Sequence, residues 1–517
     1  MEGKLESSKD DSYSWFSQPK NPTKKSDTAA GTGVKGLDEI LRGGLPRRHI
    51  YIIQGEPGVG KTTLAMQFLM DGRDKYEKVL YVTLSETEED LRSSAAAHGW
   101  SLDQIEIYEK WSAGASDLDA FHTLFHPSEV DLSETIRDFL NVVEDLKPSR
   151  IVFDSLSELR LLAGDDLRYR RQIMALRDNF VSHDSTVLLL DDRSSGSEDL
   201  QIQSIAHGVI QLHDSAPDYG SNRRRIRIAK LRGVRFSGGY HDYLIEEGGM
   251  KVYPRLVAAE HRGDFIAGKV TSRIAELDSM FDGGLDRGTT TLLMGPSGTG
   301  KSTIATQYAV SLAEKSEKVA IYTFDERLST LFQRSEGLGI RLRQFVDNGS
   351  ITVTPIDPAE LTPGEFAHRV KDAVELGGAS MVLIDSLSGY IHSMPDARFL
   401  VLQLHELLTY LGQQGVTTLI AVTQHGLLSI DSDSELDISY LSDNVLLFRY
   451  YECEAELCVA LSIFKRRSGG HERTIRKLSL SNQNGIVIGE PLQRTNTGHL
   501  QMPFLDQINS TLKACDR

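Results

Sequence analysis

Two copies of one phosphate-binding motif decide the fold of this chain. The first copy is Gly55-Glu56-Pro57-Gly58-Val59-Gly60-Lys61-Thr62-Thr63, and Gly295-Pro296-Ser297-Gly298-Thr299-Gly300-Lys301-Ser302-Thr303 repeats it 240 residues later (301 − 61). Both contain the nucleotide-binding pattern G-x-x-x-x-G-K-[ST], whose glycines turn successive backbone N–H groups towards phosphate oxygens. The lysine reaches the β- and γ-phosphates, and the Thr or Ser hydroxyl ligates Mg²⁺. A chance glycine turn could imitate one copy, but two copies predict two sites for ATP and Mg²⁺.

The repeat continues on both sides of the two loops. An apolar run precedes each loop and a helix-spaced run follows it, as the strand–loop–helix frame requires. Further on, Ile151-Val152-Phe153-Asp154-Ser155 and Val382-Leu383-Ile384-Asp385-Ser386 read as apolar strands that end in aspartate. A carboxylate in this position lies beside the phosphate loop and orders the Mg²⁺ shell. We therefore predict that Thr62 and Asp154 hold the metal in the first half, and that Ser302 and Asp385 hold it in the second.

Strands that alternate with helices predict an α/β fold in which each half is a mostly parallel, doubly wound sheet. At 517 residues the chain is too long for one hydrophobic core. We expect a disordered tail over residues 1–30, a first domain over residues 31–255, a second domain over residues 256–490 and a C-terminal tail over residues 491–517.

The composition is typical of soluble cytoplasmic proteins. Charged residues make up 25% of the chain and hydrophobic residues 40%, which is ordinary for a globular protein. No apolar run approaches the roughly 20 residues of a membrane-spanning helix, and the first residues contain no hydrophobic signal core. Three cysteines argue against a disulfide framework and indicate a reducing compartment. We therefore expect a cytoplasmic protein without a membrane partner.

Both halves resemble RecA-like ATPase domains, and the tandem resembles the KaiC family of clock ATPases. Besides the two loops, the resemblance rests on the Leu-Asp-Glu or Leu-Asp-Ser segment with Gly-Gly-Leu upstream of each loop, on Asp-Ser-Leu-Ser at the end of each acidic strand, and on the Lys-x-Arg triplets at 230–232 and 465–467. It covers roughly residues 30–485. It implies tandem RecA-like domains, a homohexameric double ring with ATP bound between neighbouring subunits, and autophosphorylation in the second ring.

The resemblance also implies catalytic carboxylates. Glu86 and Glu326 each lie 25 residues after the motif lysine, where the family keeps its catalytic glutamates. The family usually has a pair of glutamates there, and the first member is Asp325 in the second half but Ser85 in the first. We take Glu86, Asp325 and Glu326 as the catalytic residues. The alternative is that these carboxylates only cap helices.

By the same resemblance, Lys230, Arg232, Lys465 and Arg467 would contact the γ-phosphate of the nucleotide on the neighbouring subunit. In a monomer they would remain solvated surface charges. The basic run of Arg223, Arg224, Arg225 and Arg227 could instead contact nucleic acid. The net charge of −16 gives DNA or RNA little general attraction, so we favour the interface between subunits.

A single phosphoacceptor serine is predicted near the end of the second half. The segment Asp437-Ile438-Ser439-Tyr440-Leu441-Ser442-Asp443-Asn444 aligns with the stretch in which the family phosphorylates adjacent Ser and Thr residues. Ser439 preserves the serine, whereas Tyr440 replaces the threonine. We therefore predict autophosphorylation at Ser439. The alternative is that Ser439 and Ser442 only line a turn between a helix and a strand.

Taken together, the resemblance implies a regulatory timer or switch that hydrolyses ATP and phosphorylates itself. One alternative is a scaffold without kinase activity whose ATP occupancy gates a protein partner. Another is a nucleic-acid motor, which should have basic DNA-binding loops, but the segments 158–171 and 389–398 after the acidic strands have mixed charge. The family binds KaiB on its first ring, so we expect a KaiB-like partner. Residues 491–517 match no KaiA-binding segment, so we do not expect dependence on KaiA.

Overall fold

Two halves built on the same plan make up the part of the chain that the structure describes. The computed structural model describes residues 28–109, 127–163, 165–192, 200–217, 219–392, 397–423, 439–453 and 456–492. Almost all of the two predicted tails, residues 1–30 and 491–517, lies outside the described residues.

The first half runs from β1 to β11. Its elements are β1 (Ala29–Ala30), α1 (Lys35–Ile40), β2 (Leu45–Pro46), β3 (Ile50–Gly55), α2 (Lys61–Asp74), β4 (Val79–Thr83), α3 (Glu88–Ala97), β5 (Glu106–Glu109), α4 (Pro127–Leu146), β6 (Arg150–Asp154), α5 (Leu156–Ala163), α6 (Asp166–Ser182), β7 (Thr186–Asp192), α7 (Leu200–Ile205), β8 (Gly208–Ser215), β9 (Arg223–Leu231), β10 (Tyr240–Glu246) and β11 (Gly249–Tyr253).

The second half repeats this order after a short 3₁₀ turn at Ala258–Glu260. Its elements are β12 (Lys269–Val270), α8 (Ala275–Met280), β13 (Leu285–Asp286), β14 (Thr290–Gly295), α9 (Lys301–Ala313), β15 (Lys318–Thr323), α10 (Leu328–Gly337), α11 (Leu342–Asp347), β16 (Ile351–Pro355), α12 (Pro363–Glu375), β17 (Ala379–Asp385), α13 (Leu387–His392), α14 (Ala397–Gln413), β18 (Thr417–Thr423), a 3₁₀ turn at Ser439–Leu441, β19 (Asn444–Cys453), β20 (Glu456–Arg466), β21 (Arg476–Ser481) and β22 (Gly485–Pro491).

Each half contains a nine-stranded, mostly parallel sheet, which confirms the predicted fold class. The strand order is β11-β10-β9-β8-β3-β7-β6-β4-β5 in the first half, and β22-β21-β20-β19-β14-β18-β17-β15-β16 in the second is the same order. Six neighbouring strands of the first half are parallel to one another, namely β8, β3, β7, β6, β4 and β5. The sheet continues beyond β8 with β9, β10 and β11, each antiparallel to its neighbours. The strand that leads into each phosphate loop is thus the central strand of its sheet.

Both faces of each sheet are covered, which explains the continuous apolar runs. Along β3, Tyr51 and Ile53 belong to one buried cluster, whereas Ile50 and Ile52 belong to the cluster on the opposite face. Successive side chains of a strand point to opposite faces, so a strand that packs helices on both sides needs apolar residues at every position. Among the described residues, no helix is long and apolar enough to span a membrane.

The two halves are joined by buried polar contacts. The Arg223 guanidinium donates to three backbone carbonyl oxygens between Pro358 and Leu361 at 3.0–3.2 Å. The Asp242 carboxylate accepts the backbone N–H of Gly364 at 2.7 Å, in the first turn of α12. Arg223 is only 7% exposed. This member of the basic run is therefore occupied inside the protein and is not presented to a nucleic acid.

The neutral side chain of His241 connects two backbone segments at the end of the first half. It is 1% exposed; its Nδ1 accepts the backbone N–H of Arg255 at 2.8 Å, and its Nε2 donates to the backbone oxygen of Ser237 at 3.1 Å. Burial, aided by the charge of Arg255, lowers the pKa of His241 to about 4. A proton on Nδ1 would face the N–H of Arg255, so the folded state disfavours the charged form.

We predict that this histidine makes the protein sensitive to acid. Its folded-state pKa lies below the value of about 6.5 in an unfolded chain, so stability is lost as the pH falls from about 6.5 towards 4. The loss at pH 5, relative to pH 8, should be about 2 kcal/mol. In urea titrations, His241→Gln should be less stable than the wild type at pH 8 but should lose less stability between pH 8 and pH 5. Equal losses in the two proteins would contradict this assignment.

Candidate nucleotide-binding sites

The backbone of each phosphate loop has the shape that a phosphate group requires. Gly58 and Gly60 have φ of 82° and 96°, and Gly298 and Gly300 have φ of 81° and 92°, in the left-handed region that favours glycine. A Cβ at Gly60 would lie 2.4 Å from Cδ1 of Ile245, whereas nothing lies within 4 Å of a Cβ built on Gly58. The loop is therefore closely backed on one side and open at Gly58, as expected of a phosphate cradle.

The motif lysines lie buried at the start of the helices that follow the loops. Nζ of Lys61 donates to the carbonyls of Gly55 and Glu56 at 3.0 and 2.9 Å, and Nζ of Lys301 donates to Gly295 and Pro296 at 2.8 and 2.7 Å. Desolvation lowers the pKa of Lys301 to about 8. Each ammonium group is thus held at the mouth of its loop, where phosphate oxygens would satisfy it better than carbonyls do.

A carboxylate next to Lys61 distinguishes the first site from the second. Asp192 lies 2.6 Å from Nζ of Lys61. It is paired with Gly55 in the sheet, and Thr423 has the equivalent pairing with Gly295. The sequence analysis did not identify Asp192 as a residue of this site. The signal available was two consecutive aspartates at the end of a strand.

The predicted metal ligands lie together in both halves. Oγ1 of Thr62 is 3.4 Å from Oδ2 of Asp154, and a hydrogen bond from Ser302 contributes to the environment of Asp385. Burial raises the pKa of both aspartates. Among the described residues no group of three or more His, Cys, Asp or Glu side chains could hold a metal. One hydroxyl and one carboxylate suit Mg²⁺, which takes its remaining ligands from phosphates and water.

The predicted catalytic carboxylates have different surroundings in the two halves. The backbone of Glu86 is bound to the hydroxyl of Thr83, which donates to its oxygen at 2.8 Å and accepts its N–H at 3.0 Å. Burial, then the charges of Asp154 and Asp90, raise the pKa of Glu86. In the second half, Glu326 forms a two-point ion pair with Arg334.

Asp325, the other predicted catalytic carboxylate of the second half, accepts a hydrogen bond from Ser386 at 2.6 Å. In the first half, the metal-ligand candidate Asp154 accepts a hydrogen bond at its Oδ2 from the hydroxyl of Tyr81 at 2.6 Å. The residue in register with Tyr81 in the second half is Ile321. Sequence reasoning identified neither Tyr81 nor Arg334, because each lies inside an apolar strand or an amphipathic helix with no motif around it.

The Lys-x-Arg residues lie at one end of the strands of each sheet, and the phosphate loops lie at the other end. Lys230 donates to the carbonyl of Ala206 at 2.8 Å, and Arg232 donates to Ser204 at 2.9 Å, both of which precede β8. The loop of the same half follows the far end of β3. A strand of six residues spans about 17 Å at roughly 3.3 Å per residue, which is beyond the reach of a lysine or arginine side chain. The structure therefore does not bring these cations to the phosphate loop of their own half.

The second half repeats this arrangement beside the predicted phosphoacceptor. Lys465 donates to the carbonyl of Ser442 at 2.8 Å, and Arg467 donates to the carbonyl of Tyr440 at 2.7 Å. The backbone of Ser439 begins the 3₁₀ turn Ser439–Leu441, which contains Tyr440 and is followed directly by Ser442. The side chain of Ser439 and residues 424–438 lie outside what the structure describes.

The family follows from comparison with known proteins. The family model described as "ATPase: KaiC" matches this chain twice, over residues 30–257 and 270–493. This chain belongs to the KaiC ATPase family. The two matches correspond to the two halves described above, each with one phosphate loop, and they make the chain an ATP-binding ATPase.

Relatives in the KaiC family resemble the chain over most of its length. Circadian clock protein KaiC3 of Synechocystis sp. is 27% identical over 477 residues, which are 91% of this chain and 93% of the relative. The circadian clock oscillator protein KaiC of Parathermosynechococcus lividus is 26% identical and covers 88% of this chain and 84% of its own length. Circadian clock oscillator protein KaiC 1 of Synechocystis sp. is 25% identical, with 87% coverage of both chains.

We predict that each motif lysine is required for ATP binding in its own half. Lys61→Met should raise the Kd for ATP at the first site by about 10- to 100-fold, because a hydrogen bond to a charged group contributes about 1.5–3 kcal/mol. Lys75→Met is the matched control, since Lys75 follows the same helix and is exposed in an ion pair with Asp71. Binding of a fluorescent ATP analogue would measure both. An unchanged affinity in Lys61→Met would contradict the role of this loop.

Proposed function

We propose that this protein is a KaiC-like timing ATPase. In this proposal it assembles as a double-ring homohexamer, hydrolyses ATP in both rings and phosphorylates itself on Ser439. It passes its state to protein partners, among which a KaiB-like protein is expected and KaiA is not. The names of the relatives, which are clock and clock oscillator proteins, support this proposal.

The observation that carries the proposal is the position of the Lys-x-Arg residues. Lys230, Arg232, Lys465 and Arg467 lie at the end of the strands opposite to the loop of their own half, where each donates to a backbone carbonyl. Arg467 also pairs with Asp443 at 3.5 Å. Stabilising charge on a transferred γ-phosphate requires cations close to it. In a ring, the edge that carries these cations can face the loop of the next subunit. This geometry supports catalytic sites that are complete only between subunits.

The carboxylates beside each site suit the two proposed reactions. In hydrolysis, Glu86 and Glu326 would orient the attacking water and accept its proton. In autophosphorylation, Asp325 and Glu326 would accept the proton of the serine hydroxyl as it attacks the γ-phosphate. Bound Mg²⁺ would neutralise part of the negative charge between the phosphate groups. The loops, the lysines and the paired hydroxyl and carboxylate groups would bind and orient ATP for both reactions.

The same cations would connect the state of the nucleotide to the phosphoacceptor. Lys465 and Arg467 hold the carbonyls of Ser442 and Tyr440, and this short turn begins at Ser439. If both cations turned to a neighbour's γ-phosphate, the two carbonyls would lose these two hydrogen bonds. The turn would then be released when ATP is bound and held again after hydrolysis. This link supports placing the acceptor in the second ring.

We predict that assembly depends on ATP and on these cations. With Mg-ATP, light scattering should give the mass of a hexamer, and a variant with both Lys230→Ala and Arg232→Ala should give smaller species. Arg177→Ala is a suitable control, because Arg177 is paired with its neighbour Asp178 on the surface of α6. A monomeric wild type at saturating ATP would refute the ring, and a fully hexameric double variant would refute the role of the two cations.

We predict that Ser439 is the phosphoacceptor. Wild-type protein incubated with γ-labelled ATP and Mg²⁺ should gain one phosphate per chain, Ser439→Ala should gain none, and Tyr440→Phe should retain labelling. Tyr440 is the natural control because it is adjacent and 52% exposed. Equal labelling of Ser439→Ala and wild type would exclude this site.

A scaffold without kinase activity is the second candidate. The observation that favours it is Tyr440, which stands where the resemblance expects the second acceptor, a threonine. The labelling experiment separates the two candidates. If the protein binds and hydrolyses ATP but intact-mass spectrometry finds no phosphate on the wild type, the protein is an ATP-gated switch and the autokinase proposal fails.

A further inference from the structure

Arg334 places a guanidinium group between three functional parts of the second site. Its Nε and Nη2 donate to the two carboxylate oxygens of Glu326 at 3.1 and 2.8 Å, and its Nη1 donates to Oγ1 of Thr303 at 3.0 Å. Thr303 lies two residues after the motif lysine Lys301. The positive charge of Arg334 also opposes the rise in pKa that burial causes at the metal-ligand candidate Asp385. Arg334 and Glu326 are only 23% and 20% exposed, so their pairing is shielded from water more than a surface ion pair is.

In the part of the first half that the structure describes, this ion pair has no equivalent. Helices α3 and α10 each contain ten residues and begin two residues after the glutamate, so Ser94 occupies the position of Arg334. Ser94 is exposed, and among the described residues no lysine or arginine pairs with Glu86. The two sites therefore share a frame but differ in the charge next to their glutamate.

The backbone around the two glutamates differs as well. Thr83 binds both the N–H and the carbonyl of Glu86. Its counterpart Thr323 is 2% exposed, and its hydroxyl is one of the buried polar atoms without a hydrogen-bond partner among the described residues. A buried hydroxyl without a partner costs free energy. The contacts that the structure gives to the side chain of Glu326 come instead from Arg334.

The ion pair restricts the geometry in which Glu326 can accept a proton. The two-point pair occupies one lone pair on each carboxylate oxygen and fixes the direction of the group. Among the described residues, Glu86 has no such ion pair.

We propose that Arg334 is a positioning residue that restrains Glu326 and makes the second site slower than the first. The proposal rests on the function proposed for Glu326, namely that it accepts a proton during ATP hydrolysis. Arg334 touches no substrate in this assignment and acts only through Glu326. The contrast between Arg334 and Ser94 would then divide the labour of the two rings, with turnover in the first and slow chemistry in the second.

The test measures ATP hydrolysis by the second site in the full-length chain. The first site is silenced with Glu86→Gln, and Arg334→Ala is introduced into that background. We expect kcat to rise by about fivefold, a part of the about 10²- to 10⁴-fold that a general base supplies, with KM within about twofold. Arg334→Lys should give an intermediate kcat, because lysine keeps the charge but cannot form the two-point pair.

The matched control is Arg343→Ala. Arg343 also pairs with a glutamate of α10, Glu336, at 2.7 Å, but this pair is exposed, with about half of each side chain accessible. It should leave kcat unchanged. The reciprocal variant Ser94→Arg, in a background with Glu326→Gln, should lower kcat at the first site. It also keeps the proposal testable if Arg334→Ala fails to fold.

Different outcomes separate this inference from the proposed function. If Glu326→Gln does not lower turnover at the second site, the proposed role of Glu326 fails. If Glu326→Gln lowers turnover but Arg334→Ala also lowers kcat, or changes only KM, the restraint is wrong and Arg334 instead supports catalysis or nucleotide binding. The combined Arg334→Ala and Glu326→Gln variant should lose the gain, because the effect of Arg334 passes through Glu326. A gain that persists there would also overturn the proposal.

Discussion

A buried ammonium group behind each glycine loop is the constraint on which the rest of the structure depends. Lys61 and Lys301 are 8% and 6% exposed, yet each begins a helix at the end of the central strand of its sheet. Such a charge is tolerated only where carbonyls, carboxylates or phosphates surround it. Left-handed glycines bring those carbonyls within 3.0 Å, and parallel packing delivers the carboxylates of adjacent strands to the same edge. The site is therefore a consequence of how the sheet is wound.

On this shared frame the two halves carry different charges. In the first site, Asp192 forms an ion pair with Lys61, and Tyr81 donates a hydrogen bond to the metal-ligand candidate Asp154. Among the described residues, no cation pairs with the glutamate of this site, Glu86. The second site has an arginine on its glutamate and a serine hydroxyl on Asp325. Packing maintains the frame, whereas only a few polar side chains decide the chemistry. Such substitutions alter proton affinity and orientation with little effect on the fold.

The contacts between the halves give the molecule a physical route between its two sites. Asp242, which caps α12 across the junction, is followed directly by Tyr243, whose hydroxyl donates to the backbone of the first phosphate loop at Val59. On the other side, Phe366 of α12 packs against Phe324, the residue before Asp325. These contacts are contiguous from the first phosphate loop to the residue before Asp325.

The sequence by itself determined the duplicated loops, the apolar strands that end in aspartate and the α/β class, because these depend on local patterns of glycine, charge and hydrophobic period. The resemblance to the family pointed to Glu86 and Glu326, whose catalytic role stays a prediction. Only the tertiary structure revealed the ion pairs of Asp192 with Lys61 and of Arg334 with Glu326. It also placed the Lys-x-Arg residues at the strand ends opposite to the phosphate loops. The physical reason is that hydrogen bonds and ion pairs depend on distances of about 3 Å between side chains far apart in the chain, and only the packing of strands and helices sets those distances.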